Sequence, residues 1–263
     1  MLAEPKPCEA RIDTRAIRDN ARILAQVGAS VALLADVSAD GYGHGALQSA
    51  RAAVDGGAVW LGVSNVADAV NLRVGGIRAS ILASFAVGSA GSAGTEAAGE
   101  LGVVLRGSPG EPDALYEPGA ALYGLGGPEK LRPGLVPAMR VSATVMGVKT
   151  IERGDGVSYG YTFRATERTN LAMVAMGYAD GLDRRAGNVA SMALGGRQRR
   201  IAGRVAMNAA VLDLGRDTAQ LGDEAVLFGW DGEPSASSWA DSLGITDAEA
   251  VTMFGRLLAR SYR

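Results

Sequence analysis

The residues in this chain that could do chemistry are few, and their scarcity narrows the choices. His44 is the only histidine and Cys8 the only cysteine. A Ser-His-Asp triad would have to use His44, and a multi-histidine zinc site or a disulfide within the chain is excluded. Of 26 basic residues only Lys6, Lys130 and Lys149 are lysines, so any Schiff-base chemistry has three amines to draw on. The densest cluster is Gly41-Tyr42-Gly43-His44-Gly45, a glycine-rich turn before an apolar helix, where free backbone N–H groups attract anions. There Tyr42 and His44 could contact a ligand, or the glycines could simply satisfy turn geometry. His44 suits a general base by its ordinary pKa. Ser38 as a nucleophile would need His44, six residues on. Tyr159 and Tyr178 are candidate acid–base groups, or tyrosines kept for packing and one hydrogen bond. The arginines at 197, 199, 200 and 204 could form an anion patch, but a solvated hairpin is the preferred reading.

The elements that must position these residues follow from the hydropathy pattern. Residues 9–13 read as a short strand, with Asp13 or Thr14 capping a helix that buries Ile17, Ala21 and Leu24. Val31–Asp36 is a continuous apolar run, as in a strand covered on both faces. The unit recurs as helix 46–54, strand 59–63, helix 66–72 and strand 80–83, the βαβ pattern of a parallel sheet. Residues 84–100, rich in Gly, Ala and Ser, read as a linker, with further strands at 101–105 and 120–123. From Val136 onward short alternating runs with few helix signals indicate an all-β domain, and helix returns near 238–243 and 247–258. A closed (β/α)₈ barrel needs about 250 residues, so residues 31–124 hold only about three or four units of one.

The chain has 263 residues, 48% of them hydrophobic and 21% charged, with a formal net charge of −2. This is the composition of a globular protein with a real core, and it offers no basic groove for nucleic acid. No apolar run is long enough to span a membrane and the first residues lack a signal-like stretch, so we expect a cytoplasmic protein.

Several segments, in order, carry a resemblance to a known family: RIDTRAIRDNARIL, DVSADGYGHGA, WLGVSNVADAVNLRVGGIRASIL, EPGAALYGL, GDGVSYGYTF, MGYADGLDRR, GRVAMNAAVLDLG and GDEAVLFG. Together they resemble the alanine racemases nearly end to end. The resemblance implies an α/β plus β fold, in which an incomplete β/α barrel precedes a C-terminal β domain. We place a strand joining the β domain at residues 1–13, the shortened barrel at 14–130 and the β domain at 131–263. About a hundred residues of a full barrel are absent between about Ala83 and Leu115.

The family's members are dimers dependent on pyridoxal phosphate, with an active site at the subunit interface. A lysine in the glycine-rich loop holds the cofactor, and a tyrosine of the partner is the second base. At the lysine's position this chain has Ser38, which cannot form a Schiff base. Tyr42 and Gly119 belong to the same former cofactor site. Tyr159 matches the family's second base and Tyr178 is also retained. Glu117 falls where the family has an arginine facing the pyridine nitrogen, and is either a solvated acid or a new base. Met207 and Asn208 fall in the family's Cys-Met-Asp stretch, as candidates for substrate contact beside Tyr42.

These departures lead to the expectation of a cofactor-free enzyme. It would use Tyr159, Tyr178, His44 and Glu117 for acid–base isomerisation, cyclisation or epimerisation of a small organic substrate, in specialised biosynthesis. No pyridoxal phosphate and no metal are expected. The alternative is a non-catalytic pseudoenzyme acting as a binding or regulatory partner, and a third reading is residual racemase activity with loosely held cofactor. Unpaired groups at the open sheet edges point to a homodimer.

Overall fold

The computed structural model describes residues 7–27, 31–84, 96, 98–126, 132–230 and 232–263. These fall into two compact units. One runs from Asp13 to Ala138 with Arg263; the other joins the residues up to Ile12 to Met139–Tyr262. Strand β1 (Cys8–Ile12) opens the second unit and helix α1 (Thr14–Val27) the first.

The first unit is a parallel sheet with its helices. Asp13 Oδ1 accepts the N–H groups of Arg15 (3.0 Å) and Ala16 (3.2 Å), which caps α1 as its sequence requires. Ile17, Ala21 and Leu24 face the core. Asn20 is fully buried, and its side chain makes three bonds. It donates to the carbonyls of Leu122 (3.0 Å) and Val136 (2.9 Å) and accepts from the Val136 N–H (2.9 Å). A buried amide is tolerated only when bonded in this way.

The sheet has five strands: β2 (Ala32–Asp36), β3 (Trp60–Val63), β4 (Ser80–Ala83), β5 (Val103–Leu105) and β6 (Leu115–Tyr116). Their spatial order is β5-β4-β3-β2-β6 and every pairing is parallel. Helices α2 (Ala46–Asp55) and α3 (Val66–Val74) cross between strands. The last strand pairs with the first, as in a barrel, but among the described residues the ring of hydrogen bonds does not close. An ion pair ties the two edges instead. The Arg106 N–H continues the β5 ladder onto Ala83 O (2.9 Å), and its guanidinium reaches Glu117, just past β6, at 2.9 Å and Glu111 at 3.6 Å.

One sequence reading needs correction here. Residues 120–123, expected as a strand, lie in a 3₁₀ turn spanning Gly119–Tyr123. Gly119 (φ 56°) and Gly124 (φ 71°) bracket it in a left-handed conformation that a strand cannot use. Much of the expected linker, residues 85–95 and 97, lies outside the described residues.

The second unit is built on the long strand β7 (Met139–Ile151), with β8 (Gly156–Val157), β9 (Phe163–Arg164), β10 (Thr169–Val174), β11 (Ser191–Leu194), β12 (Arg197–Arg200), β13 (Ala210–Gly215), β14 (Glu224–Phe228) and β15 (Arg260–Tyr262). β7 pairs antiparallel with β1 and β14 along its first half and with β10 along its second, so one strand serves two sheet faces. Helices α4 (Ala236–Leu243) and α5 (Asp247–Leu257) cover one end, with Phe254 edge-on to Phe228 and Trp239. Arg140, largely buried on β7, is held by the carboxylates of Glu224 and Glu233, each with two bonds of 2.8–2.9 Å. Three of the four arginines lie on the β11–β12 hairpin, where Arg197 and Arg200 are solvated but Arg199 is largely buried; Arg204 lies beyond it. Arg197 and Arg199 both reach Asp217.

Candidate active site

The carboxyl end of a parallel strand is where open α/β sheets and barrels place their sites. At the end of β2 the chain does something unusual. Ser38–Tyr42 makes one helical turn of the wrong hand, with φ of 52° at Ala39, 58° at Asp40, 64° at Gly41 and 51° at Tyr42. Each left-handed non-glycine residue costs about 1–2 kcal/mol. The turn is held against that cost by bonds to both flanks. Gly41 N–H donates to Val37 O (2.9 Å), Gly45 N–H to Asp40 O (2.8 Å) and Ala46 N–H to Asp40 Oδ1 (2.8 Å). Gly41 itself is required. A Cβ there would sit 2.7 Å from Ser49 Oγ and 3.3 Å from the Tyr123 hydroxyl.

Asp36 organises the mouth of this turn. Its Oδ1 accepts the Ser38 N–H at 2.9 Å and its Oδ2 accepts the Tyr42 hydroxyl at 3.2 Å. The Tyr42 phenol is half-buried beside this carboxylate. Burial first, then the charge of Asp36, pushes its pKa up to about 12, so it stays a neutral donor. Below it lies Tyr123, fully buried, whose hydroxyl donates to Asp36 O at 2.9 Å. Its pKa is pushed well above 10, chiefly by burial. Gly119 stands beside Tyr42: a Cβ there would lie in ordinary contact, 3.8 Å from the phenolic oxygen, so its left-handed backbone, φ 56°, is what calls for glycine.

His44 is placed where it cannot meet a ligand directly. It is 0% exposed, stacked on Tyr123 with ring centroids 4.4 Å apart. Its Nδ1 lies 3.0 Å from Gly41 O and 3.1 Å from Tyr42 O; facing two carbonyls, it must carry the proton. His44 therefore buttresses the turn from beneath. Glu117 is engaged by Arg106, at the tie between the sheet edges.

The β unit presents its own candidates. Tyr159, 74% exposed, sits in a 3₁₀ turn with Tyr161, whose ring carries the Arg164 guanidinium at 5.5 Å. Ser158 precedes it at φ 60°, its hydroxyl donating to Arg204 O at 2.6 Å. Tyr178 is partly exposed, with Arg184 over its ring at 5.5 Å and its N–H on Ala206 O at 3.0 Å. Ala206 N–H bonds Ala209 O (2.9 Å), which holds Met207 and Asn208 at an exposed turn tip. The segment 204–207 thus links the surroundings of Tyr159 to those of Tyr178. Lys149 lines a mostly apolar cleft of about 360 Å³ with Val148, Ile151, Leu171, Met173 and Val211. Among the described residues no group of three or more His, Cys, Asp or Glu could hold a metal.

Comparison with known proteins decides the family. Residues 12–105 match the model of the alanine racemase N-terminal domain, and residues 138–262 that of the alanine racemase C-terminal domain. The chain belongs to the alanine racemase family. An alanine racemase of Thermobifida fusca is 34% identical over 364 residues, covering 97% of each chain. That alignment is longer than the 263 residues of this chain, so part of the relative has no counterpart here. The crystal structure of alanine racemase from D-cycloserine-producing Streptomyces lavendulae superposes with a TM-score of 0.87 at 29% identity, over 99% of this chain and 98% of the other. The structure from Bartonella henselae, with covalently bound pyridoxal phosphate, has a TM-score of 0.86 at 20% identity, over 98% of this chain and all of the other.

These findings overturn two expectations drawn from the sequence. The relatives are named racemases, so a cofactor-free isomerase, cyclase or epimerase has no footing, and nothing in them favours a non-catalytic partner. The expectation of no cofactor fails for the same reason, since a family member is solved with pyridoxal phosphate attached.

The cofactor can be tested against the residues present. For its phosphate end the described residues offer Gly119 and the Tyr42 hydroxyl, whose one proton goes to Asp36. The first unit has no lysine among its described residues, and Ser38 stands where strand β2 has just ended. The described residues of that unit therefore do not fit an aldehyde tethered to the barrel. Asp36 and Tyr123 were missed in the sequence. The available signal for Asp36 was its place as the last residue of a parallel strand.

Proposed function

We propose that this chain interconverts the two hands of a small amino acid such as alanine, with pyridoxal phosphate as cofactor held without a bond to the barrel. The observation carrying this is the left-handed turn Ala39–Tyr42, kept at a cost in strain and aimed so that the Tyr42 hydroxyl stands between Asp36 and Gly119. The cofactor would supply a sink for the electrons left at the α-carbon. In this reading Asp36 takes the one Tyr42 proton and so fixes its ring, Tyr42 packs beside the ligand and bounds its place, and His44 and Tyr123 keep the turn in shape. Tyr159 or Tyr178 moves the α-proton, contributed by a second copy in a homodimer whose active site lies at the interface. The exposure of Tyr159, Tyr161, Tyr178 and Met207 on the β unit favours such a covered face. No helix among the described residues is long and apolar enough to cross a membrane, and we place the protein in the cytoplasm, with no nucleic-acid partner.

The experiment is chiral chromatography of L-alanine incubated with the protein and pyridoxal phosphate. D-alanine should form faster than with the cofactor alone, and Tyr42→Phe and Tyr159→Phe should each slow it by at least about tenfold. Equal rates with and without the protein would refute the assignment.

A further inference from the structure

We infer that Asn188 is a positioning residue for Tyr159, fixing the turn that carries its hydroxyl. This rests on the function proposed above and takes Tyr159 as the tyrosine that moves the α-proton.

Strands β8 and β9 pair Gly156 with Arg164 and Val157 with Phe163, so residues 158–162 form the tip between them. Ser158 (φ 60°) and Tyr161 (φ 47°) are left-handed there without being glycine, at a cost of about 1–2 kcal/mol each. A backbone bond within the tip, Tyr161 N–H to Ser158 O, is long at 3.3 Å. Tyr159 is largely exposed, so packing does little to place its ring. The two ends of the tip are held from outside, on the same two residues. At the first end the Ser158 hydroxyl donates to Arg204 O at 2.6 Å. At the second the Asn188 amide is interposed. Its nitrogen donates to the Thr162 hydroxyl (3.1 Å) and the Thr162 carbonyl (3.4 Å), and its oxygen accepts the Gly203 N–H (2.7 Å). An N–H on one side and a carbonyl on the other leave the amide one orientation. Gly203 comes this near because it lacks a side chain; a Cβ there would lie 2.7 Å from Val157 O. Asn188 is anchored in turn, its N–H on Ile201 O (2.9 Å) and its carbonyl accepting from Arg200 Nε (2.8 Å). It stands at φ 61°, a conformation asparagine takes more readily than most residues. The amide thus closes a brace that sets both ends of the Tyr159 turn against residues 203 and 204. A displacement of about 1 Å in a reacting group can cost about a hundredfold in rate, so the brace bears on proton transfer.

Asn188→Gly is the cleanest test, because glycine accepts the same backbone conformation and only the amide is removed. Thr162→Val, on the exposed tip, removes the other partner of the bond and keeps the inference testable should Asn188→Gly fold poorly. In α-proton exchange of L-alanine with pyridoxal phosphate, each variant should lower kcat about tenfold with KM within about twofold. The double variant should be no slower than either alone, and neither change should matter in a Tyr159→Phe background, where a merely structural loss would persist. Fluorine NMR of the full chain carrying 3-fluorotyrosine reads the placement without turnover. The Tyr159 line, assigned from Tyr159→Phe, should shift or broaden in Asn188→Gly and in Thr162→Val, while the Tyr42 line stays. An unmoved Tyr159 line, or the same slowing in the Tyr159→Phe background, would overturn the inference and leave the functional assignment standing. A moved line in a chain whose wild type exchanges no faster than the free cofactor would refute the functional assignment and leave the placement of Tyr159 by Asn188 standing.

Discussion

Removing the Tyr123 hydroxyl is a direct test of how the active-site turn is supported. In Tyr123→Phe the ring still stacks on His44, so packing is retained. What is lost is the bond to Asp36 O (2.9 Å) and the contact with the buried Ser49 hydroxyl. A neutral bond is worth about 1 kcal/mol net, and leaving a buried hydroxyl or carbonyl short of a partner adds about 1 kcal/mol more. The expected loss is therefore about 2 kcal/mol, which for a domain of this size lowers the melting temperature by roughly 6–10 °C. Calorimetry of wild type and variant, with the exposed Tyr161→Phe as control, measures it. A shift below about 1 °C would mean that the hydroxyl supports nothing, and the account of the turn would fail.

Three further outcomes follow from the same geometry. Arg140 and Ser142 hold the Glu224 carboxyl down to about 2, with the Arg140 bonds the largest cause, from an ordinary 4.5. Its contribution is present above about pH 4.5 and is lost as the pH falls toward 2; solvent exposure cuts it to about 1 kcal/mol, and Glu224→Gln should flatten the acid limb of a stability–pH curve by that amount. Glu117→Gln should cost less than about 1 kcal/mol in urea denaturation, because the Arg106 pair is exposed, and should leave racemisation within about twofold of wild type; a hundredfold loss would make Glu117 a reacting acid. In spectrophotometric titration the Tyr42 phenol should ionise near 12, and Asp36→Asn should bring it down toward 10 without reaching it, since burial is the larger cause.

The parallel strands, their helices and the β domain were legible because apolar runs and alternation report burial directly. Strand β4 falls at the expected residues, and helix α1 buries the three residues its pattern singled out. Two segments misled. Residues 120–123 are a short apolar run that suits a buried strand or a buried turn equally, and the flanking glycines decided for the turn. The run RIAGRVAM, residues 200–207, reads as a strand, yet past Arg200, the end of β12, only Ile201 bridges to Leu212, and Gly203 at φ 78° turns the chain away. In the site, glycine spacing marked the loop but could not give its hand, because Ala39 and Tyr42 are not residues that favour φ above zero. Nor could spacing show that His44 points inward. That follows from the stack with Tyr123, 79 residues further along the chain by its number. Asp36 was hidden at the end of an apolar run, and its role appears only once Ser38 and Tyr42 fold back onto it.

The most direct measurement of the central claim is exchange of the α-proton of L-alanine for deuterium in heavy water, followed by proton NMR, with pyridoxal phosphate present. The account predicts exchange well above that of the cofactor alone, strongly reduced in Tyr42→Phe. Exchange no faster than the free cofactor's, with the protein folded and in excess, would contradict it.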